Sequence, residues 1–385
     1  FFWPKIIWLQ ENEPDVVRNT GAFLNANDYL VFRLTGKKIA DPLSAEKFYF
    51  EAGNGGYPRE LFDYTNLSDP LFPAVQPIGS DLGPVLPDVA RQIGLPEDVR
   101  VVLASYDAIC AFWGSGVSKV GEACNVSGTS LSFRTLSNRP ARRNNEGILS
   151  QYYAAQNVYI VGGSNNLEGG LLEWARECFY GDSYYNKVDY LYSLMQAEAR
   201  KSSVGARGLV FVPYLIGERV PHWDSSARGV LFGLERFHVR SDIMRSIFES
   251  TGCITLSIIE AIERGGVPVN SIRMSGGLSR VPYACELRAH ITGRPVHVLA
   301  EHETASLGAF MVVAQTAGWY QTKEELAQLT PIKHTYRPDP EIQKRYRGLY
   351  ELFDEVYRNL KTTYQRRMGL VHNLCQDENQ MIENL

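Results

Sequence analysis

An acid and a glycine turn with hydroxyl side chains follow two apolar runs in the first third of the chain. A β-branched run at residues 101–103 leads to Asp107, and a second apolar run ends in Ser127-Gly128-Thr129-Ser130. Ligands of open α/β domains bind beyond the carboxyl ends of strands, and turns of small residues let backbone N–H groups approach phosphate oxygens. Each feature alone is also typical of an ordinary turn or helix cap. Together they indicate an acid that faces a nucleotide.

Three further glycine motifs fall at the ends of predicted segments. Gly169-Gly170 precedes a leucine-rich helix, Gly276-Gly277 follows a predicted strand, and Gly308 opens a predicted helix. Each can bring a helix N-terminus and its unpaired N–H groups against a phosphate or a ring. A single glycine pair is more often structural. Together with Gly128 and Asp107, however, the three motifs favour a nucleotide cleft.

The polar segment 217–224 admits two interpretations. It follows a predicted strand and reads GERVPHWD. It is either a surface loop with an internal pair between Glu218 and Arg219, or part of the lining of the cleft. His222 has no second ligand at metal spacing, so the segment is not interpreted as a metal site.

The elements that must position these residues alternate between strands and helices. Strands are predicted at 158–161, 209–212, 272–274 and 296–299, with helical segments between them, which indicates an α/β domain. The clearest helix is predicted at 241–264, with isoleucines on one face, Ser241 as its cap and Gly265-Gly266 at its end.

The two ends of the chain are predicted to be helical. Residues 1–35 form helices that Gly36 closes, and residues 96–98 are a plausible linker before the strand at 101. A charged helix is predicted at 340–367, followed by a polar, frayed end from residue 373.

Composition excludes several classes of protein. The 385 residues suffice for two domains, and 44% hydrophobic with 21% charged residues is typical of a globular chain. A net charge of −4 without a long basic run gives no footprint for nucleic acid. Six cysteines lack metal-ligand spacing, which favours free thiols in a reducing compartment. Because neither a signal peptide nor a membrane-length apolar run occurs, a cytoplasmic location is expected.

Several segments resemble one known family, the FGGY carbohydrate kinases. GVLFGL at 229–234 and DIMRSIFE at 242–249 resemble its second signature, and KIIWLQEN at 5–12 resembles the core of its first. The loop 214–222, YLIGERVPH, is similar to the corresponding loop of xylulokinases and gluconokinases. The matches lie in the family's order, so the chain is identified as a member.

The resemblance implies an α/β chain with the actin-like, ribonuclease H-like ATPase fold, in two lobes around a central cleft. It assigns residues 1–98 to the C-terminal part of the N-terminal lobe, 99–370 to the nucleotide-binding C-terminal lobe, and 371–385 to a polar tail. The family's Asp-Gly-Thr phosphate loop has no counterpart here. The chain is therefore expected to lack the N-terminal part of the first lobe.

The resemblance also implies a reaction, the transfer of the γ-phosphoryl group of ATP, with Mg²⁺, to a sugar hydroxyl. Asp107 matches the catalytic base, although it is followed by Ala108 where xylulokinases often have Asn, which removes one possible hydrogen bond to the sugar. Metal ligands are not assigned. The positions that match the family's nucleotide contacts are Gly128, Thr129, Gly169, Glu173, Gly276 and Gly277.

The expected acceptor is a ketopentose such as xylulose, and gluconate or a polyol is the alternative. The expected partners are a small sugar or polyol and a second copy of the chain, with neither nucleic acid nor membrane. A second hypothesis is a catalytically incomplete relative that binds sugar or nucleotide. A hydrolytic, chaperone-type ATPase is a third, weakened because nothing like a peptide-binding domain follows residue 335.

Overall fold

The computed structural model describes residues 1–51, 55–142, 146–153, 156–180 and 188–383. It divides into two compact units. The first comprises Phe1–Gly114, Tyr152–Asn157 and Thr304–Leu329, and the second comprises Ser115–Gln151, Val158–Glu303 and Thr330–Leu385. The segment 96–98 lies inside the first unit. The domain boundaries at residues 98 and 370 stay predictions.

The described elements follow the α/β alternation that the sequence predicts. The helices are α1 (Trp3–Asn12), α2 (Pro14–Arg18), α3 (Ala26–Thr35), α4 (Pro42–Ala45), α5 (Arg59–Thr65), α6 (Pro87–Ile93), α7 (Asp107–Gly114), α8 (Gly169–Tyr180), α9 (Val188–Ala199), α10 (Arg240–Arg264), α11 (Pro282–Thr292), α12 (Thr304–Thr316), α13 (Lys323–Ala327) and α14 (Pro340–Glu383). The strands are β1 (Ile39–Ala40), β2 (Ala74–Val75), β3 (Asp81–Pro84), β4 (Arg100–Val102), β5 (Glu122–Ser127), β6 (Leu131–Ser137), β7 (Leu149–Tyr153), β8 (Val158–Asn165), β9 (Val210–Val212), β10 (Val230–Phe232), β11 (Ser271–Ser275), β12 (Val296–Leu299) and β13 (Ile332–Tyr336).

An aromatic cluster forms part of the core of the first unit. Trp3 is buried, its indole N–H donates to the carbonyl of Phe48 at 2.7 Å, and its ring stacks on Phe72 at 5.0 Å between centroids. The apolar residues that open the chain thus find their partners between residues 48 and 72. As predicted, Gly36 closes α3 in the left-handed conformation.

Two helices of the first unit cross at glycines. A Cβ at Gly114 of α7 would lie 1.9 Å from the carbonyl oxygen of Thr304, and one at Gly308 of α12 would lie 1.8 Å from that of Cys110. Only glycine permits such an approach of two backbones. The prediction that Gly308 opens a helix was wrong, because this glycine lies inside α12 and serves the helix crossing.

The second unit is built on a mixed sheet. Within the described residues, seven strands follow the order β13-β12-β11-β5-β6-β8-β7. β11 pairs in parallel with β5 and β12, whereas β6 runs antiparallel to β5 and β8. The carboxyl ends of β5, β8 and β11 therefore meet at one edge of the sheet. Ligands of α/β domains bind at such an edge.

The long helix α10 confirms the predicted helix with one correction at its start. Most of its residues are buried in the core of the second unit, and Gly265 ends it as predicted. Its cap is not Ser241. The Asp242 carboxylate instead accepts a hydrogen bond from the backbone N–H of Val239 at 2.9 Å, which satisfies a donor at the N-terminus.

The last helix of the chain is longer than predicted. α14 continues to Glu383, beyond the predicted end at 367. Cys110, Cys124, Cys253 and Cys285 are buried free thiols, and Cys178 is an exposed free thiol. Within the described ranges, no helix has both the length and the apolarity that crossing a membrane requires.

Candidate functional site

A cavity of about 500 Å³ opens in the second unit, next to the edge where β5, β8 and β11 end. The turn after β5, the first turns of α8, the helix α9 and the turn after β11 all contribute to it. The residues that line it are Gly128, Thr129, Gly169, Gly170, Leu172, Glu173, Tyr192, Ser193, Gln196, Gly277, Leu278, Arg280 and Val281.

Backbone hydrogen bonds join the turn after β5 to the start of α8. The N–H of Gly169 donates to the carbonyl of Gly128 at 2.9 Å, and that of Gly170 donates to Thr129 at 3.2 Å. A Cβ at Gly169 would lie 2.4 Å from the Gly128 oxygen, so glycine is required for this approach. The prediction of unpaired N–H groups at this helix N-terminus was therefore wrong for these two residues.

The Thr129 N–H is the better candidate for binding an anion. The residue is exposed at the cavity wall, and among the described residues none accepts a hydrogen bond from its N–H. Arg280, also exposed, adds a positive charge to the same lining. A backbone donor and a guanidinium are groups that bind phosphate oxygens.

The turn after β11 has a backbone conformation that favours glycine. Gly276 has φ of +81° and ψ of −174°, and a Cβ there would lie 2.5 Å from the carbonyl oxygen of Ser127. Gly277 lines the cavity, and among the described residues only the Ser127 oxygen lies near its Cβ position, at 3.9 Å. Gly276 thus lets the turn pack against the end of β5, and Gly277 presents a small surface to the cavity.

The helix α9 supplies a wall that sequence reasoning missed. It contributes Tyr192, Ser193 and Gln196, and the Gln196 side-chain oxygen accepts a hydrogen bond from the N–H of Tyr283 at 3.0 Å. Together with Leu172, these side chains give the cavity apolar and polar surfaces. A site with this mixture suits a ligand that has both apolar and polar parts.

Asp107 is the first residue of α7, in the first unit. It is exposed, and its Oδ1 accepts a hydrogen bond from the N–H of Ala108 at 2.7 Å. Its Oδ2 accepts none from any described residue. The carboxylate thus has one oxygen available for a proton. Nearby, the Ser105 hydroxyl donates to the buried Asp41 at 2.8 Å, which ties the segment before α7 to the start of α4.

The described residues do not form a ready-made metal site. Within the part of the chain that the structure describes, no three histidine, cysteine, aspartate or glutamate side chains lie close enough together to hold a metal ion.

Comparison with known protein families shows to which family this chain belongs. The C-terminal domain of the FGGY family of carbohydrate kinases matches residues 123–317, and its N-terminal domain matches residues 1–114. The chain belongs to the FGGY family of carbohydrate kinases. The family prediction is confirmed, and with it the prediction of a sugar kinase, a phosphotransferase that acts on an alcohol group. ATP is the phosphate donor in this family.

Individual relatives support the same assignment. The xylulose kinase of Staphylococcus epidermidis is 27% identical over 365 residues, which cover 94% of this chain and 72% of that protein. The ligand-bound crystal structure of xylulose kinase from Lactobacillus acidophilus has a TM-score of 0.85 at 24% identity, and covers 94% of this chain and 73% of that one. The crystal structure of gluconate kinase from Lactobacillus acidophilus has a TM-score of 0.84 at 23% identity, and it also covers 94% of this chain and 73% of that one. The predicted α/β, actin-like ATPase fold is confirmed.

The 217–224 loop of this FGGY chain is anchored rather than loosely exposed. The buried Glu218 accepts hydrogen bonds from the backbone N–H of Arg219, at 2.6 Å, and from the Asn165 amide. The His222 ring stacks on Tyr357 of α14 at 3.8 Å between centroids. Of the two interpretations of this segment, the internal ion pair between Glu218 and Arg219 is not supported, because Glu218 contacts the backbone of Arg219 and the Arg219 guanidinium donates to the carbonyl oxygen of Asn165 at 3.3 Å.

Burial of this loop predicts a pH dependence of stability. Burial raises the pKa of Glu218 to about 8, above its ordinary value of 4.5. Between these values the folded state holds a proton that the unfolded state has lost, so the free energy of unfolding falls as pH rises. From about pH 5 to pH 9 we expect this one group to remove about 2–5 kcal/mol.

The variant Glu218→Gln provides the measurement. Its amide is neutral at every pH, so its free energy of unfolding, from urea titrations, should lack most of that decline. Equal declines in the variant and the unaltered protein would contradict the assignment to Glu218.

Proposed function

We propose that the protein is an ATP-dependent kinase that phosphorylates a hydroxyl of a ketopentose such as xylulose, with gluconate or a polyol as the alternative acceptor. One observation carries the proposal. The cavity of the second unit gathers Gly128, Thr129, Gly169, Glu173 and Gly277, all of which the resemblance to the family assigned to the nucleotide. Gly276 adjoins the lining and supports the turn that carries Gly277.

The apolar and the polar surfaces of this cavity would contact different parts of the nucleotide. Its volume of about 500 Å³ lies within the usual range for small-molecule sites. The Thr129 N–H and Arg280 are the candidates for phosphate oxygens, and the turn at Gly276 and Gly277 is the candidate for the adenosine. These roles are proposals, and they agree with the chemistry of the side chains present.

Mg²⁺ is proposed as part of the nucleotide substrate. This ion is usually held by substrate phosphates, water and one or two carboxylates rather than by a full protein cage. When bound, the ion would offset negative charge on the phosphates.

Asp107 is proposed as the general base. Its carboxylate takes the proton of the acceptor hydroxyl while the sugar oxygen forms a bond to the γ-phosphorus. The bond from that phosphorus to the bridging oxygen breaks, and ADP leaves. An exposed carboxylate with an unoccupied oxygen is suited to this proton transfer.

The choice of acceptor rests on the relatives. The matches to xylulose kinases and to a gluconate kinase extend over most of this chain, and its 214–222 loop is similar to the corresponding loop of both groups. The acceptor is accordingly a small molecule, with xylulose proposed first. The expected homodimer stays a prediction, which light scattering coupled to gel filtration tests.

The test is coupled ADP release by the complete gene product that contains these residues, with ATP, Mg²⁺ and a panel of ketopentoses, aldonates and polyols. We expect turnover that depends on the sugar and is fastest with xylulose. Fastest turnover with gluconate or a polyol would support the alternative acceptor. ADP release at the same rate in the presence and in the absence of each sugar would contradict the proposal of a sugar kinase. ADP binding without turnover would favour a binding protein.

A further inference from the structure

A buried ion pair adjoins the cavity without lining it. The Arg288 guanidinium donates to Glu168 Oε1, and the side chains of both residues are 0% exposed. The other carboxylate oxygen of Glu168 accepts a hydrogen bond from the Ser127 hydroxyl. None of the three residues is among those that line the cavity. Direct contact with a ligand there is thus not their role.

Each member of this network is joined to one of the turns that form the cavity. Glu168 immediately precedes Gly169, and Ser127 immediately precedes Gly128. Arg288 reaches the third turn through Met274, whose sulfur lies 3.1 Å from Arg288 Nη1 and which stands two residues before Gly276.

A second set of bonds fixes the network to the helices of the core. Arg288 lies on α11, and its Nε donates to the Thr255 hydroxyl of α10 at 3.0 Å. Four elements, the strands β5 and β11 and the helices α10 and α11, thus meet at the side chains of Glu168 and Arg288. A displacement of either side chain would loosen the connections among the three turns.

Stability alone does not account for such a pair. Removal of two charges from water costs several kcal/mol for each ion, and apolar pairs of similar volume are often as stable. Burial raises the pKa of Glu168, and the Arg288 charge opposes that rise. The pair is therefore better explained by the geometry that it imposes than by the energy that it contributes.

We propose that Glu168 and Arg288 are positioning residues that hold the turns at Gly128, Gly169 and Gly276 in the arrangement that binds the nucleotide. The inference rests on the proposed nucleotide site. It adds to that site two residues that touch no ligand and act through Ser127, Gly169 and Met274.

The experiment compares two buried ion pairs of the same unit. Arg288→Met breaks the proposed pair, and Glu168→Leu with Arg288→Met replaces it by apolar side chains. Arg245→Met is the matched control, because Arg245 pairs with Glu249 at 2.7 Å with side-chain exposures of 9% and 1%, and neither lines the cavity. ADP dissociation constants are measured by calorimetry at a temperature where circular dichroism shows each protein folded.

We expect ADP to bind about 10- to 100-fold more weakly to both Arg288 variants, as for misplacement of binding groups. Arg245→Met should leave the constant within about twofold of the unaltered value, the usual result for independent sites. In turnover, the KM for ATP should rise in the double variant while the KM for the sugar stays unchanged. A purely structural role would not raise the KM for ATP while leaving the KM for the sugar unchanged.

Two results would overturn the inference. One is a folded double variant that binds ADP as tightly as the unaltered protein. The other is an Arg245→Met variant that loses as much ADP affinity as the Arg288 variants. An unaltered protein that binds no ADP would instead overturn the proposed nucleotide site itself.

Discussion

Replacement of Asp107 by Asn is expected to lower sugar-dependent turnover by about 10²–10⁴-fold, the usual loss when a general base is removed. The amide has the same shape but does not accept the hydroxyl proton. ADP affinity and thermal stability should stay close to those of the unaltered protein. The side chain is exposed, and Asn serves as well as Asp at a helix start. Coupled ADP release, calorimetry and thermal unfolding together test the three expectations.

A matched control is available in Asp88. It is also an exposed aspartate in the first turn of a helix, here α6. Asp88→Asn should retain full turnover, so a loss confined to Asp107→Asn would identify the base. If Asp107→Asn retains more than about a tenth of the unaltered rate, against the losses typical of a general base, then the assignment of Asp107 is wrong.

The second large effect is expected at Gly276, where Ala should lower both stability and ADP affinity. Backbone conformations near φ +81° with ψ near 180° are accessible almost only to glycine, and forcing another residue there costs about 1–3 kcal/mol. The added Cβ would also press on the Ser127 carbonyl, 2.5 Å away, and move the end of β5. We expect ADP to bind about 10- to 100-fold more weakly.

The neighbouring glycine separates backbone strain from ligand contact. At Gly277, a Cβ has 3.9 Å to its nearest neighbour, the Ser127 oxygen, so Gly277→Ala should leave the unfolding temperature unchanged. Any loss of ADP affinity in that variant then reports contact with the nucleotide. Urea unfolding and ADP titration of both variants provide the data. An unaltered unfolding free energy in Gly276→Ala would contradict the role given to that backbone.

Much of the cavity was predictable because three of its turns follow strands. Ser127, Asn165 and Ser275 end strands whose carboxyl ends share one edge of the sheet, and the glycines after them mark where the backbone must turn. Apolar runs that end in small or polar residues are visible in one sequence. The wall at Tyr192 and Gln196 was not predictable, because tertiary packing of α9 brings it there and no local motif marks it.

The errors have the same origin. Gly308 looks like a turn glycine, since a sequence does not distinguish a glycine that turns the chain from one that lets two helices cross. One of the two interpretations of Glu218, the ion pair with Arg219, failed for a related reason. An adjacent arginine predicts an ion pair, whereas burial and the Asn165 amide determine its actual contacts. The pairing of Glu168 with Arg288, 120 residues apart, likewise depends on the fold alone.

The most direct measurement is a crystal structure of the protein with ADP. We expect electron density for ADP in the cavity of the second unit, in contact with Thr129, Glu173 and Gly277. ADP bound elsewhere, with this cavity left empty at saturating ADP, would contradict the proposed nucleotide site.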